Sequence, residues 1–312
     1  MSKSGLPKVS VCIPTFNGAK YLCQAVESVL AQSYQDYEIV IVDNCSTDHT
    51  DVVVEALLKE NQIRIRYYKN DCNIGLVGNF NACLSYAHGK YMKYLCVDDL
   101  LMPHCLEEMI QALDEDPSVA LVAGGRQIIN EVGESLAVHR YSATSATYSG
   151  FEVINRCLFG SNYIGEPSAV MFRRKAALRG FRTELAHLMD LEMWFYLLEQ
   201  GNMVNLPEPL CAIRHHAGQM TVQSIKTGAL VEDNVLLIEE YGRKQYINNS
   251  WINTAMRRIH MAYRVWLCRT TLDVFRRRQV LRLYSLPLFY HIAMPVLARM
   301  LTWLRQIHLI QR

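Results

Sequence analysis

Tyr91-Met-Lys-Tyr-Leu-Cys-Val-Asp98-Asp99 is the stretch whose reading decides the fold. Tyr91, Tyr94, Leu95 and Val97 suit a pleated, mostly buried strand. Aspartate is a poor strand former, so the strand is expected to stop on Asp98 and Asp99. In open α/β sheets, ligands gather outside the carboxyl ends of the strands. Two carboxylates there would offer hard oxygen ligands to Mg²⁺ or Mn²⁺, ions that in turn suit a diphosphate. Taken alone, the pair reads first as a turn capping the next helix. The surrounding chain changes that reading.

Towards the N-terminus, short apolar runs alternate with helical periodicity. Val9-Ser-Val-Cys-Ile13 suits a buried parallel strand, and Pro14-Thr-Phe-Asn-Gly18 breaks it with turn chemistry. Leu22, Ala25, Val26, Val29 and Leu30 then recur at helical spacing. Glu38-Ile-Val-Ile-Val42 is a second buried strand ending at Asp43-Asn44, with Ser46 and Asp48 as caps for a helix over Val52 to Lys59. Ile63-Arg-Ile-Arg-Tyr67 alternates as a half-exposed third strand. Asn73-Ile-Gly75 reads as a loop, and a helix over Ala82 to Ala87 is stopped by Gly89. Strands alternating with helices predict a parallel, doubly wound α/β sheet. Three strand tips should then meet at one edge: Thr15 with Asn17, Asp43 with Asn44, and Asp98 with Asp99. G-x-G-x-x-G does not follow the first strand, so a Rossmann dinucleotide site has no support. G-x-x-x-x-G-K-[ST] is missing as well, which excludes a P-loop.

Length and charge bound the rest. The 312 residues suffice for one large domain and an appendage, and the boundary is placed as 1–228 and 229–312. Half the residues are hydrophobic and a fifth charged, as in a globular protein with a sizeable core. The net charge of +2 is too close to neutral to argue for nucleic acid. The ten cysteines show no C-x-x-C pair, and several sit in apolar periodic stretches, which points to reduced thiols and a cytoplasmic location. Met1 to Lys8 is short and polar, so no signal peptide is expected.

In this order, Pro14-Thr-Phe-Asn-Gly18, Val42-Asp-Asn-Cys-Ser-Thr-Asp48, Asn73-x-Gly75 and Leu95-x-x-Asp-Asp99 resemble the family 2 glycosyltransferases of the GT-A fold. The resemblance runs from about Pro7 to about Thr221. It implies a nucleotide-sugar-binding α/β domain that transfers a sugar from a nucleoside diphosphate donor to an acceptor hydroxyl. By the same resemblance Pro14, Thr15 and Phe16 contact the nucleoside. Asp43 and Asn44 meet a pyrimidine, since a carboxamide oxygen can accept a uracil or thymine N–H. UDP or dTDP is therefore the expected nucleotide. Asp48 and Asn73 brace the loops, with Asn73 on the donor side. Asp98 and Asp99 are the metal carboxylates, Asp98 also serving the donor, and the expected ion is Mn²⁺ or Mg²⁺. Cys96 stands where the family usually has the first carboxylate of its D-x-D.

The second half is read more coarsely. Pro103 to Leu113 is a helix, Val119 to Ala123 a buried strand, and Gly133 to Tyr148 polar and irregular. Ser149 to Phe159 reads as a helix and Ala169 to Phe172 as a strand. Glu166-Pro-Ser-Ala-Val-Met-Phe-Arg-Arg174 resembles the family's acceptor side. Met189-Asp-Leu-Glu-Met-Trp194 opens a helix, where the macrodipole favours a charged Asp190. The resemblance makes Asp190 the base of an inverting transfer, leaves Glu192 structural, and gives Trp194 either to the core or to a sugar-stacking wall. Arg214-His-His216-Ala-Gly218-Gln219 resembles the family's closing motif, with His216 as a metal ligand. Arg214 either neutralises the diphosphate or holds the loop.

From Leu230 the chain turns helical and basic. Leu286 to Ala298 is apolar but shorter than the roughly 20 residues of a spanning helix. Two readings stand for this tail: an amphipathic element on the cytoplasmic face of the membrane, with arginines toward anionic lipid, or a helical subdomain packed on protein. The function expected is a metal-dependent, inverting glycosyltransferase acting on a glycan or lipid-linked acceptor in surface polysaccharide synthesis. The alternative is a non-catalytic member that binds a nucleotide-sugar or glycan as an assembly factor.

Overall fold

The computed structural model describes residues 5–61, 64–158, 160–216 and 218–283. The first part of the chain runs β1 (Val9–Thr15), α1 (Leu22–Leu30), β2 (Tyr37–Asp43), α2 (Thr50–Asn61), β3 (Ile65–Lys69), α3 (Gly75–Tyr86) and β4 (Tyr91–Tyr94). There follow β5 (Leu100–Leu101), α4 (Cys105–Glu115), β6 (Val119–Ile129), β7 (Ser135–His139), β8 (Ala146–Tyr148) and α5 (Gly150–Leu158). Then come β9 (Val170–Arg173), α6 (Met189–Leu198) and β10 (Asn202–Arg214). Helices α7 (Met220–Thr227), α8 (Ala229–Tyr241), α9 (Trp251–Leu267) and α10 (Val274–Leu283) complete the described chain.

All strands join one sheet in the order β3-β2-β1-β4-β9-β6-β10-β5, with β7 beside β6 and β8 beside β10. Its central run is parallel apart from β9, which pairs antiparallel with both β4 and β6. Every residue of β1 and β2 is buried, as expected of strands covered on both faces. The core between sheet and helices sets Val11, Ile13, Ile39, Ile41 and Tyr91 with Leu22, Val26 and Val29 of α1 and Leu106 and Met109 of α4. Each such aliphatic side chain contributes roughly 1.5–3 kcal/mol by leaving water.

The polar segment Gly133 to Tyr148, expected to be irregular, supplies two strands instead. β7 and β8 carry no buried stripe to announce them: β7 turns back on β6 as a hairpin, and β8 takes its hydrogen bonds from β10, distant in sequence. β3 is described from Ile65, the expected start at Ile63 lying outside the described residues, and α3 begins at Gly75 rather than Ala82. The Tyr91 strand ends earlier than its apolar run. Leu95 N–H still donates to Cys12 O at 2.9 Å, but Cys96 N–H is captured by the Ser168 hydroxyl, also at 2.9 Å. The chain then closes a turn in which Asp99 N–H donates to Cys96 O. Lys93, fully buried on β4, donates to Ser168 O and fixes the segment that holds this turn.

The chain forms two compact units. One comprises Met1–Val153, Asn162–Glu184 and Met189–His216 and holds the sheet. The other comprises Ile154–Ser161, Leu185–Leu188 and Ala217–Arg312. Within this second unit, the buried Asp233 carboxylate accepts the N–H groups of His187 and Leu188, and Arg264 donates to Gly160 O. Among the described residues no helix is long and apolar enough to cross a membrane. The apolar segment Leu286 to Ala298 lies outside the described residues.

Candidate active site

The three strand tips meet within the sheet-bearing unit. Asn44 N–H donates to Thr15 O at 2.8 Å, Asn17 N–H to Ser46 Oγ at 2.8 Å, and Thr47 N–H to Asn17 Oδ1 at 2.9 Å. Asn17 and Cys45 hold these loops with positive φ, 51° and 62°. Such strain persists where surrounding structure over-determines the backbone, as it does at many ligand-binding loops. A Cβ on Gly18 would lie 2.7 Å from Val97 Cγ2, so only glycine lets the loop after β1 lie on the Cys96–Asp99 turn. Pro14 and Thr15 are buried, whereas Phe16 is 46% exposed and offers a ring to a ligand.

Asp43 and Asn44 are engaged by the protein itself. Asp43 Oδ1 accepts the N–H and hydroxyl of Ser46, and Oδ2 accepts the Tyr67 hydroxyl, with Lys69 Nζ at 3.7 Å. Burial and the Asp43 charge push the Tyr67 hydroxyl well above its ordinary range. The Asn44 carbonyl, expected to meet a base N–H, instead accepts Ile74 N–H and Asn70 Nδ2. Both its lone pairs are thereby used. Its amide donates to Asn73 Oδ1 and Gly75 O, so Asn44 fixes the loop over residues 70–75. Asn73 and Asp48 brace their loops as expected: Asn73 Oδ1 also takes Gly75 N–H, and Asp48 takes the N–H groups of Ala19 and Thr50. Burial raises the Asp48 carboxyl, but these bonds and the Thr50 hydroxyl outweigh it and hold the group below its ordinary value.

Asp98 and His216 face each other, with His216 Nε2 2.9 Å from Asp98 Oδ2 and both side chains partly exposed. His215 is exposed and uses its backbone N–H on Ile129 O. Asp99 does not join the pair. It is buried, its Oδ1 accepts Arg214 N–H and its Oδ2 the Ser168 hydroxyl, so the metal role expected of it is replaced by a brace between the turn, β10 and the segment before β9. Burial and the Asp98 charge raise its pKa well above that of an ordinary carboxylate. Burial, with the charges of Asp99, Asp98 and more weakly Asp190, likewise pushes the Cys96 thiol up.

Arg214, read above as serving either the diphosphate or the loop, is bonded to the loop. Only 3% exposed, its guanidinium donates to Asp98 O, Asn130 O, Glu131 O and Gln24 Oε1, and it sits 4.9 Å from the Tyr21 ring centre. These bonds direct the fork at protein carbonyls rather than at a diphosphate.

Asp190 opens α6, where its Oδ1 accepts Leu191 N–H. Asn162 Nδ2 reaches its Oδ2 at 3.3 Å. The Asn162 carboxamide is itself oriented by Gly165, whose N–H it accepts and whose carbonyl it meets, and Trp194 Nε1 donates to the same carbonyl. Gly165 holds φ at 128°, and a Cβ there would meet Ala169 and Arg126. Trp194 is fully buried against Phe172, which makes it core. Glu192 is fully buried and paired two-pronged with Arg179, a structural carboxylate. Asn162, Ser168 and Lys93 escaped the sequence reading. Ser161 to Pro167 is recognisably turn-rich, but nothing local marks which polar residue faces Asp190.

Among the described residues no group of three or more His, Cys, Asp and Glu could hold a metal ion. Two protein donors, a carboxylate and an imidazole, nevertheless fit an ion that keeps waters and takes its other ligands from substrate phosphates.

The family model described as glycosyl transferase family 2 matches residues 10–181, more than half of the chain. The chain belongs to glycosyl transferase family 2. Among its relatives, an uncharacterized glycosyltransferase of Rickettsia prowazekii is 30% identical over 69% of this chain and 66% of its own length. An uncharacterized protein of Mycobacterium tuberculosis is 31% identical over 73% of each chain. Among solved structures, S. aureus TarS 1-349 in complex with UDP-GlcNAc superposes with a TM-score of 0.66 at 17% identity, covering 88% of this chain and 79% of that one. The mannosyltransferase PcManGT of Pyrobaculum calidifontis, in complex with GDP-Man and Mn²⁺, gives 0.60 at 16% identity over 94% and 84%. This family 2 member is thus a glycosyltransferase of GT-A fold, a mixed α/β sheet domain followed by helices.

Proposed function

We propose that this glycosyltransferase is metal-dependent and inverting, and transfers a sugar from UDP or dTDP to a hydroxyl of a glycan or lipid-linked acceptor during surface polysaccharide synthesis. The observation that carries the reading is the Asp98–His216 pair at the strand-tip edge, with Asp190 tied through Asn162 to Gly165, at the start of the segment whose Ser168 holds the same turn. Mn²⁺ or Mg²⁺ held by Asp98 and His216 would offset charge on the leaving diphosphate. Phe16 offers its exposed ring to the nucleoside, while the loops braced by Asn44, Asn73 and Asp48 shape the pocket wall. The relation to a UDP-GlcNAc-bound neighbour supports a pyrimidine nucleotide; the GDP-Man-bound neighbour makes guanosine the competitor to test. Asp190 takes the proton from the acceptor hydroxyl as that oxygen attacks, and Asn162 keeps the carboxylate turned. The transferase domain is placed at 1–228 with the helical region at 229–312, working at the cytoplasmic face of the membrane.

Donor hydrolysis and transfer in the presence of Mn²⁺, screened over UDP-, dTDP- and GDP-sugars, tests the reading. Two observations favour the non-catalytic alternative: a thiol, Cys96, stands where a carboxylate was expected, and the Asp99 carboxylate is taken up by Ser168 and Arg214 N–H. It predicts nucleotide-sugar binding without turnover for any donor.

A further inference from the structure

Tyr21, the residue immediately before α1, sets its ring against the segment that carries His216. The two ring centres are 5.8 Å apart, with the planes tilted by 40°. The Arg214 guanidinium lies 4.9 Å from the same Tyr21 ring centre, and its Nε donates to Asp98 O at 3.0 Å. One phenol ring thus meets the imidazole of the Asp98–His216 pair directly, and the guanidinium that holds the Asp98 backbone. Both contacts fall in the range where aromatic pairs and cation–π attractions act.

The ring is mounted on a well-anchored stretch of backbone. The N–H groups of Tyr21 and Leu22 both donate to Gly18 O at 3.0 Å, and Leu22 is fully buried in the core. Gly18 in turn lies on Val97, the neighbour of Asp98. Residues 18–21 therefore touch the Asp98 turn at one end and the His216 segment at the other. His216 itself is partly exposed and follows the end of β10. The direction in which an imidazole offers its nitrogen is set by the plane of its ring, so a group that fixes that plane governs metal affinity without touching the ion. Lys20 Nζ also lies 4.8 Å from the Tyr21 ring centre, but Lys20 is exposed and paired with exposed Glu131, an arrangement that water screens.

We infer that Tyr21 is a positioning residue for the transferase: its ring holds the His216 imidazole in the plane that lets it share a divalent ion with Asp98. The inference rests on the metal reading of that pair proposed above. The ring makes the contacts, not the hydroxyl, so Tyr21→Phe keeps them and Tyr21→Leu removes them. Calorimetry of the full chain with UDP and with GDP, each in Mn²⁺ and in EDTA, tests it. For whichever nucleotide binds more tightly, Tyr21→Leu should lose roughly tenfold or more of the Mn²⁺-dependent affinity, the scale of other residues that orient a metal ligand. Tyr21→Phe should restore it to within about twofold of the unaltered chain. In a His216→Ala background Tyr21→Leu should cost little further, because residues that act as a unit are not additive. A second readout needs no metal and no nucleotide. The ring-proton resonances of His216, identified as those lost in His216→Ala, should shift in Tyr21→Leu, which removes an aromatic ring current, and stay in place in Tyr21→Phe. Full Mn²⁺-dependent affinity in Tyr21→Leu, an equal loss in Tyr21→Phe, unmoved His216 resonances in Tyr21→Leu, or additive losses in the double variant would each overturn the inference and leave the metal pair standing. Nucleotide affinity that ignores Mn²⁺ in the unaltered chain would instead remove the metal reading, and this inference with it.

Discussion

Nε2 of His216 lies 2.9 Å from Oδ2 of Asp98, joining the segment after β10 to the turn after β4. The two groups are 118 residues apart in the chain and meet where the strand tips converge. Both would have to exchange this contact for a divalent ion. Asp98→Ala should therefore abolish Mn²⁺-dependent binding of the nucleotide in calorimetry, His216→Ala should weaken it, and His215→Ala should change it little. Equal nucleotide affinity with and without EDTA in the unaltered protein would remove the metal from the account.

Arg214 is a structural fork. Removing it takes this donor from the carbonyls of Asp98 and Glu131, while Asn130 O keeps Gly133 N–H. An orphaned buried acceptor costs about 1–3 kcal/mol. Arg214→Lys should thus lower unfolding free energy by at least about 2 kcal/mol in urea titration, because an ammonium cannot span the same acceptors. An unchanged midpoint would return Arg214 to the diphosphate.

Asp114 gives a pH signature away from the site. Burial raises its pKa, but Lys8, Tyr91 and Lys90 together hold it well below the ordinary carboxylate range. A depressed folded pKa contributes stability that is present above the unfolded value, about 3.9, and is lost as pH falls below it. The carboxylate is partly solvent-exposed, so the contribution is screened to about 1 kcal/mol. Thermal melts should show Asp114→Asn less stable than the unaltered chain at pH 7, with the gap closing below about pH 4. A gap independent of pH would show that charge is not what the three partners stabilise.

Much of this architecture can be read from the sequence, and the limits of that reading are physical. β1 and β2 announce themselves because strands covered on both faces must be continuously apolar, and their tips end in polar residues that the sheet brings together. β7 and β8 do not, since neither buries a stripe, and β8 pairs with β10, which lies far along the chain. Motif position singles out Asp98 and His216, which the fold sets face to face, but does not show the turn of Asp99. That orientation depends on Ser168 and on the backbone of Arg214, 69 and 115 residues away. Arg214 shows the same limit: one of its acceptors, Gln24, is 190 residues distant, and only the folded chain reveals that the guanidinium is already occupied. Asn44 kept a plausible role on paper because a carboxamide can serve a base. In the fold its lone pairs are spent on Ile74 and Asn70.

Asn162 should act through Asp190. Asn162→Ala is expected to lower turnover by about tenfold with the donor affinity unchanged, the pattern of an interaction felt only in the transition state. In an Asp190→Asn background the same change should cost nothing further, because residues that act as a unit are not additive. Additive losses in this cycle would make Asn162 a general stabiliser of the turn.

The central claim is that Asp190 takes the acceptor proton. It is tested by turnover of Asp190→Asn in a transfer assay with Mn²⁺, after the donor and acceptor screen has found an active pair. The amide keeps the shape and the bond from Leu191 N–H but cannot receive the proton. Turnover should fall by roughly two to four decades, with donor affinity in calorimetry nearly unchanged. Turnover within a few fold of the unaltered enzyme would contradict the account, even with the family and the metal pair intact.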